Sequence, residues 1–130
     1  MTSLERDKIE TSLTASKPLD QDERPWGRWE EYINEVDYRV KRLLVLPGKR
    51  LSLQRHQLRT EEWVVVKGSG VVTLDALTHN VQAGDTISIA RQQIHRLENT
   101  GSEDLIVIET QLGTCLEDDI ERLEDDWNRK

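Results

Sequence analysis

Gly48-Lys49-Arg50-Leu51-Ser52-Leu53-Gln54-Arg55-His56-Gln57-Leu58-Arg59-Thr60-Glu61-Glu62-Trp63-Val64-Val65-Val66-Lys67-Gly68 carries more structural information than any other stretch of the chain. Over Leu51–Gln57, Leu51 and Leu53 alternate with Ser52, Gln54 and His56, which is the period of an extended strand. Gln54, His56 and Ser52 therefore share one face and the two leucines take the other; in a small barrel, one of these faces is the interior. Glu61 comes five residues after His56, and Trp63–Val66 is a continuous apolar run that reads as core, closed by Gly68-Ser69-Gly70. A Gln and a His projecting together into a barrel, with a carboxylate five residues on, form part of a coordination shell, which His95, in a second strand, could complete. That mixed nitrogen and oxygen set suits Zn²⁺ or another first-row divalent ion.

The flanking sequence has the same character. Tyr38–Leu46 is a β-rich run closed by the turn dipeptide Pro47-Gly48, and further strands are expected at Val71–Leu74, His79–Gln82, Thr86–Ala90, His95–Glu98 and Leu105–Gln111. Short strands at regular spacing, separated by turns, predict an all-β sandwich or barrel rather than alternating β and α units. Arg24-Pro25-Trp26-Gly27 marks the start of the ordered domain, 24–130, because Pro and Gly punctuate and Trp is costly to leave in water. Residues 1–23 read as a flexible arm, with room for a short helical turn around Leu4–Leu13. At the other end, Ile120, Leu123 and Trp127 recur at helix-like spacing, so Glu117–Arg129 is expected to form a short terminal helix docked by one apolar edge.

Charge is concentrated at the ends. The net charge is −7, and residues 1–23 and 117–130 account for all of it, the middle being balanced. With no basic face, nucleic-acid binding is not expected, nor is attraction to an anionic membrane. No apolar run approaches a transmembrane length, and the N-terminus lacks the apolar core of a signal peptide. Cys115 is the single cysteine, which excludes an intrachain disulfide and a thiolate cluster and makes a reducing, cytoplasmic setting the default. Phe is absent, so the core must rest on Val, Leu, Ile and four Trp.

Two spaced patterns carry a family resemblance. Gly48, Gln54, His56, Glu61 and Gly68 resemble the first cupin motif, with Gln54 where most cupins have His, and Gly84, Ala90, His95 and Asn99 resemble the second. Arg24-Pro25-Trp26-Gly27, Lys41-Arg42-Leu43, Pro47 to His56, Arg59 to Val66, His95 to Asn99, Ile108-Glu109-Thr110-Gln111 and Asp118-Asp119-Ile120 are similar, in order and spacing, to the isomerase domain of the type II bifunctional mannose-6-phosphate isomerases. Three positions depart from that pattern. Ala90 and Gln92 stand where the family usually has Pro and Gly, and Glu62 where a His is common. The guanylyltransferase domain that accompanies the type II isomerases has no counterpart here, and no nucleotide-binding Gly-rich loop is present, so nucleotidyl transfer is not expected.

The resemblance implies a cupin, that is, a double-stranded β-helix or jelly-roll barrel, with Gln54, His56, Glu61 and His95 as metal ligands. Zinc ranks first, with manganese, cobalt or nickel as alternatives. It implies a sugar-phosphate substrate, interconversion of mannose 6-phosphate and fructose 6-phosphate, and a homodimer paired through sheet edges. Arg96, beside a ligand, is the candidate for a phosphate or an oxyanion, with Lys41, Arg59 and Gln111 as further substrate contacts. Glu62 and Glu109 are candidate bases, although Glu109 and Gln111, on one strand face, could equally be paired structurally. His79 reads as surface and Cys115 as inert. Two other functions fit the residues less well: a non-catalytic cupin that binds metal and sugar phosphate as a sensor or partner domain, and a metal-dependent oxygenase, which Gln54 in place of His disfavours.

Overall fold

In the structure, a computed structural model that describes residues 16–127, two antiparallel sheets face each other around one core. Eleven strands are formed: β1 (Asp20–Arg24), β2 (Gly27–Asn34), β3 (Tyr38–Val45), β4 (Leu53–Arg55), β5 (Arg59–Lys67), β6 (Ser69–Leu74), β7 (Leu77–Gln82), β8 (Thr86–Ile89), β9 (His95–Glu98), β10 (Leu105–Gly113) and β11 (Glu121–Glu124). One sheet runs β1-β2-β3-β10-β5-β8 and the other β11-β4-β9-β6-β7, the expected all-β cupin-like arrangement. Of the expected arm, residues 1–15, and the helical turn placed there, lie outside the described residues, while Asp20–Glu23 belong to β1, paired with β2.

Strict period-two alternation fills the interior. β5 turns Arg59, Glu61, Trp63 and Val65 inward, and β10 turns Leu105, Val107, Glu109 and Gln111 inward. Trp63–Val66 is thus not core throughout: Val64 and Val66 face outward at 40% and 48% exposure, because a strand covered on one face buries only alternate residues. The apolar half of the barrel rests on Leu43, Val45, Val72, Ile87, Ile89 and Leu97 together with Trp26 and Trp63. The polar face of Ser52 and His56 is the one turned inward. Gly27 enables the turn into β2 by close approach: at φ +147° its bare Cα passes the Leu44 carbonyl oxygen, which any Cβ would strike.

The expected C-terminal helix does not form, and among the described residues there is no helix at all, hence none long and apolar enough to cross a membrane. Glu121–Glu124 is instead a strand laid along the edge of β4. An isolated helix of this length is marginal in water. The β4 edge offers backbone partners, and it is lined with cations. Arg55 pairs with Glu121 at 2.8 Å, Arg50 with Asp126 at 2.7 Å, and Arg96 with Glu124 at 2.9 Å. Trp127 packs against the core, whereas Leu123 is exposed, so the helix-like spacing of apolar residues does not correspond to one buried edge.

Candidate metal centre and adjoining cavity

His56 follows directly on β4, His95 opens β9, and the two strands meet through the single register pair Gln54 with His95. Glu61 reaches the same point from β5 in the opposite sheet. One ligand atom from each of His56, Glu61 and His95 falls within 4.8 Å of the others, and all three residues are buried. His56 Nδ1 lies 2.7 Å from the carbonyl oxygen of Asp119, and His95 Nδ1 lies 2.9 Å from that of Gln93. A carbonyl can only accept, so each Nδ1 carries the proton and each Nε2 is left as a lone-pair donor. Both Nε2 atoms point at Glu61, at 3.3 Å from Oε2 for His56 and 3.7 Å from Oε1 for His95. Backbone carbonyls that fix imidazole tautomers behind a converging donor set are the outer shell that metal-ligating histidines require.

The electrostatics agree with that use. Burial, with the charge of Arg59 adding to it, holds His56 well below the ordinary imidazole range, to about 4. Burial also lowers His95. Both rings are therefore neutral near pH 7, the form that coordinates metal. The residues fit a divalent cation of the hard to borderline class, since an N₂O set with one anionic oxygen is what such ions take. Gln54 stands next to them, its Nε2 donating to Ser52 Oγ at 3.2 Å, which leaves the amide oxygen as its available end.

Arg59 joins the triad to a cavity of about 120 Å³. Its Nε donates to Glu61 Oε2 at 2.9 Å and its Nη2 lies 3.2 Å from His56 Nε2, while the side chain also lines the cavity. Gln54, Lys41, Glu109 and Gln111 share that lining. Gln111 Nε2 donates to Glu109 Oε1 at 3.0 Å, whereas Gln111 Oε1 is buried without a hydrogen-bond partner. Burial, and next the negative charge of Glu61, pushes the Glu109 carboxyl up to about 7.

Two candidates are not brought here. Glu62 sits on the outward side of β5, exposed, accepting a 2.6 Å hydrogen bond from Ser88. Alternation puts it opposite Glu61, its neighbour in sequence. Arg96 is buried but turned away from the cavity, donating to the Leu51 carbonyl at 2.9 Å and to Glu124. It holds the C-terminal strand. His79 is exposed on β7, and Cys115 is buried.

The site also uses residues that sequence reasoning did not single out. Trp29, Arg24 and Glu117 line the cavity, and Asp119 supplies the carbonyl behind His56 while its carboxylate accepts from the Gln57 and Leu58 amides at 2.9 Å each. The available signal for Asp119 was the Asp118-Asp119-Ile120 tripeptide, whose position fitted the resemblance without revealing its purpose.

Comparison with known proteins agrees with this geometry. The chain is 44% identical over 107 residues to the alginate biosynthesis protein AlgA of Pseudomonas aeruginosa and 40% identical over 107 residues to the mannose-1-phosphate guanylyltransferase ManC of Salmonella typhimurium. Each match covers 82% of this chain and 22% of the relative, so the chain spans about a fifth of their length. Among solved structures, the capsular polysaccharide assembling protein CapF of Staphylococcus aureus superposes with a TM-score of 0.74 at 23% identity, over 82% of this chain and 34% of that one. KdgF from Halomonas superposes with a TM-score of 0.68 at 16% identity, over 74% and 89%. Both are likenesses of fold. The family described as mannose-6-phosphate isomerase C-terminal matches residues 14–125, and it is to this family that the chain belongs.

Proposed function

We propose that the chain is a metal-dependent aldose–ketose isomerase that interconverts mannose 6-phosphate and fructose 6-phosphate, supplying precursors for polysaccharide synthesis. The observation that carries this reading is the convergence of two tautomer-fixed Nε2 atoms on the Glu61 carboxylate, directly beside a polar cavity. His56, His95 and Glu61 would hold the ion, with Gln54 as fourth ligand, and zinc suits that set. When bound, the ion supplies Lewis acidity for the oxyanion that develops as the carbonyl enolises.

The chain's own residues supply the rest. Lys41, an ammonium held 4.4 Å from the Trp29 ring centroid, attracts the phosphate, and Arg59 adds positive charge at the cavity floor. The unpartnered Gln111 Oε1 accepts a sugar hydroxyl, which would satisfy a buried acceptor that the protein itself leaves open. Glu109 is the base: its carboxyl, raised to about 7, acts as the carboxylate that removes the proton from the carbon next to the carbonyl and returns it to the former carbonyl carbon, while the hydroxyl proton on the second carbon's oxygen passes to the first oxygen. No net redox partner is needed, because the proton and the electron pair stay within the sugar. Pairing into a homodimer is part of the proposal, and light scattering should then give twice the chain mass of 15.1 kDa.

The test is metal content of protein purified without added ions, read beside an isomerase assay. One divalent ion per chain, loss of turnover with chelator and recovery on readdition are expected. Glu109→Gln should lower kcat by roughly 10²–10⁴ while the ion is retained. Sugar phosphate bound without turnover, in fully loaded protein, would replace the isomerase with the binding-domain reading.

A further inference from the structure

Arg39 and Lys41 are two apart on β3 and so present the same face. One oxygen, Glu117 Oε1, accepts from both, at 2.7 Å from Arg39 Nη1 and 3.1 Å from Lys41 Nζ. Lys41 and Glu117 both line the cavity. The exposures are unequal: the Glu117 side chain is 63% exposed, whereas those of Arg39 and Lys41 are 14% and 9% exposed. The cations lie beneath and the anion lies on the solvent side. Below them, Arg39 Nε and Glu31 Oε1 are 3.9 Å apart, both buried and neither hydrogen-bonded, so Arg39 is not fully matched from within.

We infer that Arg39 and Lys41 form a subsite for a phosphate monoester dianion, and that Glu117 occupies it as an internal anion until the incoming phosphate displaces it. The inference rests on the cavity being a sugar-phosphate site and adds to it Arg39, a competing carboxylate and a charge requirement. Burial opposes ionisation of Glu117, but Lys41 and then Arg39 hold its carboxyl below the usual carboxylate range, so it is anionic at neutral pH. A phosphate monoester carries about −1.5 to −2 charge and three acceptor oxygens against one charge and two oxygens for Glu117. It can satisfy both cations with separate oxygens. A neutral hexose cannot, and the internal carboxylate would keep it out.

The experiment is calorimetric titration of the full chain with inorganic phosphate and, separately, mannose 6-phosphate, for wild type, Glu117→Gln, Glu117→Ala and Lys41→Met, with thermal unfolding to confirm folding. If Glu117 fills the subsite about nine-tenths of the time, its removal tightens both ligands by about tenfold, while Lys41→Met abolishes binding. Unchanged or weaker affinity in both folded Glu117 variants overturns the inference, as does absence of binding in every protein. Tightening for inorganic phosphate but not for mannose 6-phosphate overturns the substrate assignment. Phosphate displacing Glu117 in a protein that never isomerises would instead sink the isomerase reading and leave this one standing.

Discussion

Gln92 occupies a left-handed backbone conformation, φ +64°, which L side chains adopt at a cost and Gly adopts freely. Its amide donates to the His56 carbonyl at 2.7 Å, so the loop before His95 is tied to the other histidine through the backbone. Restoring the usual residue, Gln92→Gly, should stabilise the protein by about 1 kcal/mol in denaturant unfolding without altering metal stoichiometry. His56 gives a second test. Its folded pKa of about 4 lies below the ordinary 6.5, so the unfolded chain binds more protons between those values. The metal-free protein should therefore lose stability as pH falls from about 6.5 towards 4, and in His56→Asn that slope should flatten, as denaturant midpoints would show. His56, Glu61 and His95 were legible in the sequence because the spacings from Gly48 to Gly68 and from Gly84 to Asn99 resemble the two cupin motifs, and the structure brings these three residues together. Arg96 was not. Proximity to a ligand along the chain suggested substrate contact, yet adjacent strand residues face opposite ways, and which way depends on what covers the sheet.

At the scale of elements, the strands with clean alternation or clear turn residues were readable, and those held by charge were not. β2 escapes a pattern reading because Glu30 and Glu31 are both buried, a consequence of the irregularity between Glu31 and Ile33 that breaks the two-residue period. Glu30 is neutralised by Arg42, which reaches it with Nε and Nη2 at 2.8 and 3.1 Å. β11 escapes for a related reason: its partners Arg50, Arg55 and Arg96 are distant in sequence, and no local propensity announces them. Arg96 is the most buried of these, and it grips both Leu51 and Glu124. Arg96→Ala should therefore speed amide exchange in Glu121–Glu124, with little change in inorganic phosphate affinity. Loss of phosphate binding with β11 still protected would restore its role as a substrate contact.

Across the whole molecule, the acidity of the C-terminal end, which in sequence looked like a solvated helix face, serves as an adhesive: Glu117, Asp119, Glu121, Glu124 and Asp126 meet a barrel whose own charge is balanced but whose β4 edge is basic. The consequence lies in Asp119. Its carbonyl sits behind an imidazole of the metal centre and its carboxylate anchors the loop that bears that imidazole, so the tail acts as a latch whose closure and whose cation are reciprocally coupled. Any free energy that the ion gains from a correctly aimed His56 is returned as resistance to unlatching. Trypsin cleavage after Arg122 should accordingly slow in the presence of zinc and quicken in chelator, and the melting temperature should rise and fall with the ion. A chain cut there keeps Asp119 but loses Glu124 and Asp126, whose pairs with Arg96 and Arg50 hold the tail beside β4, so it should retain an added divalent ion less well.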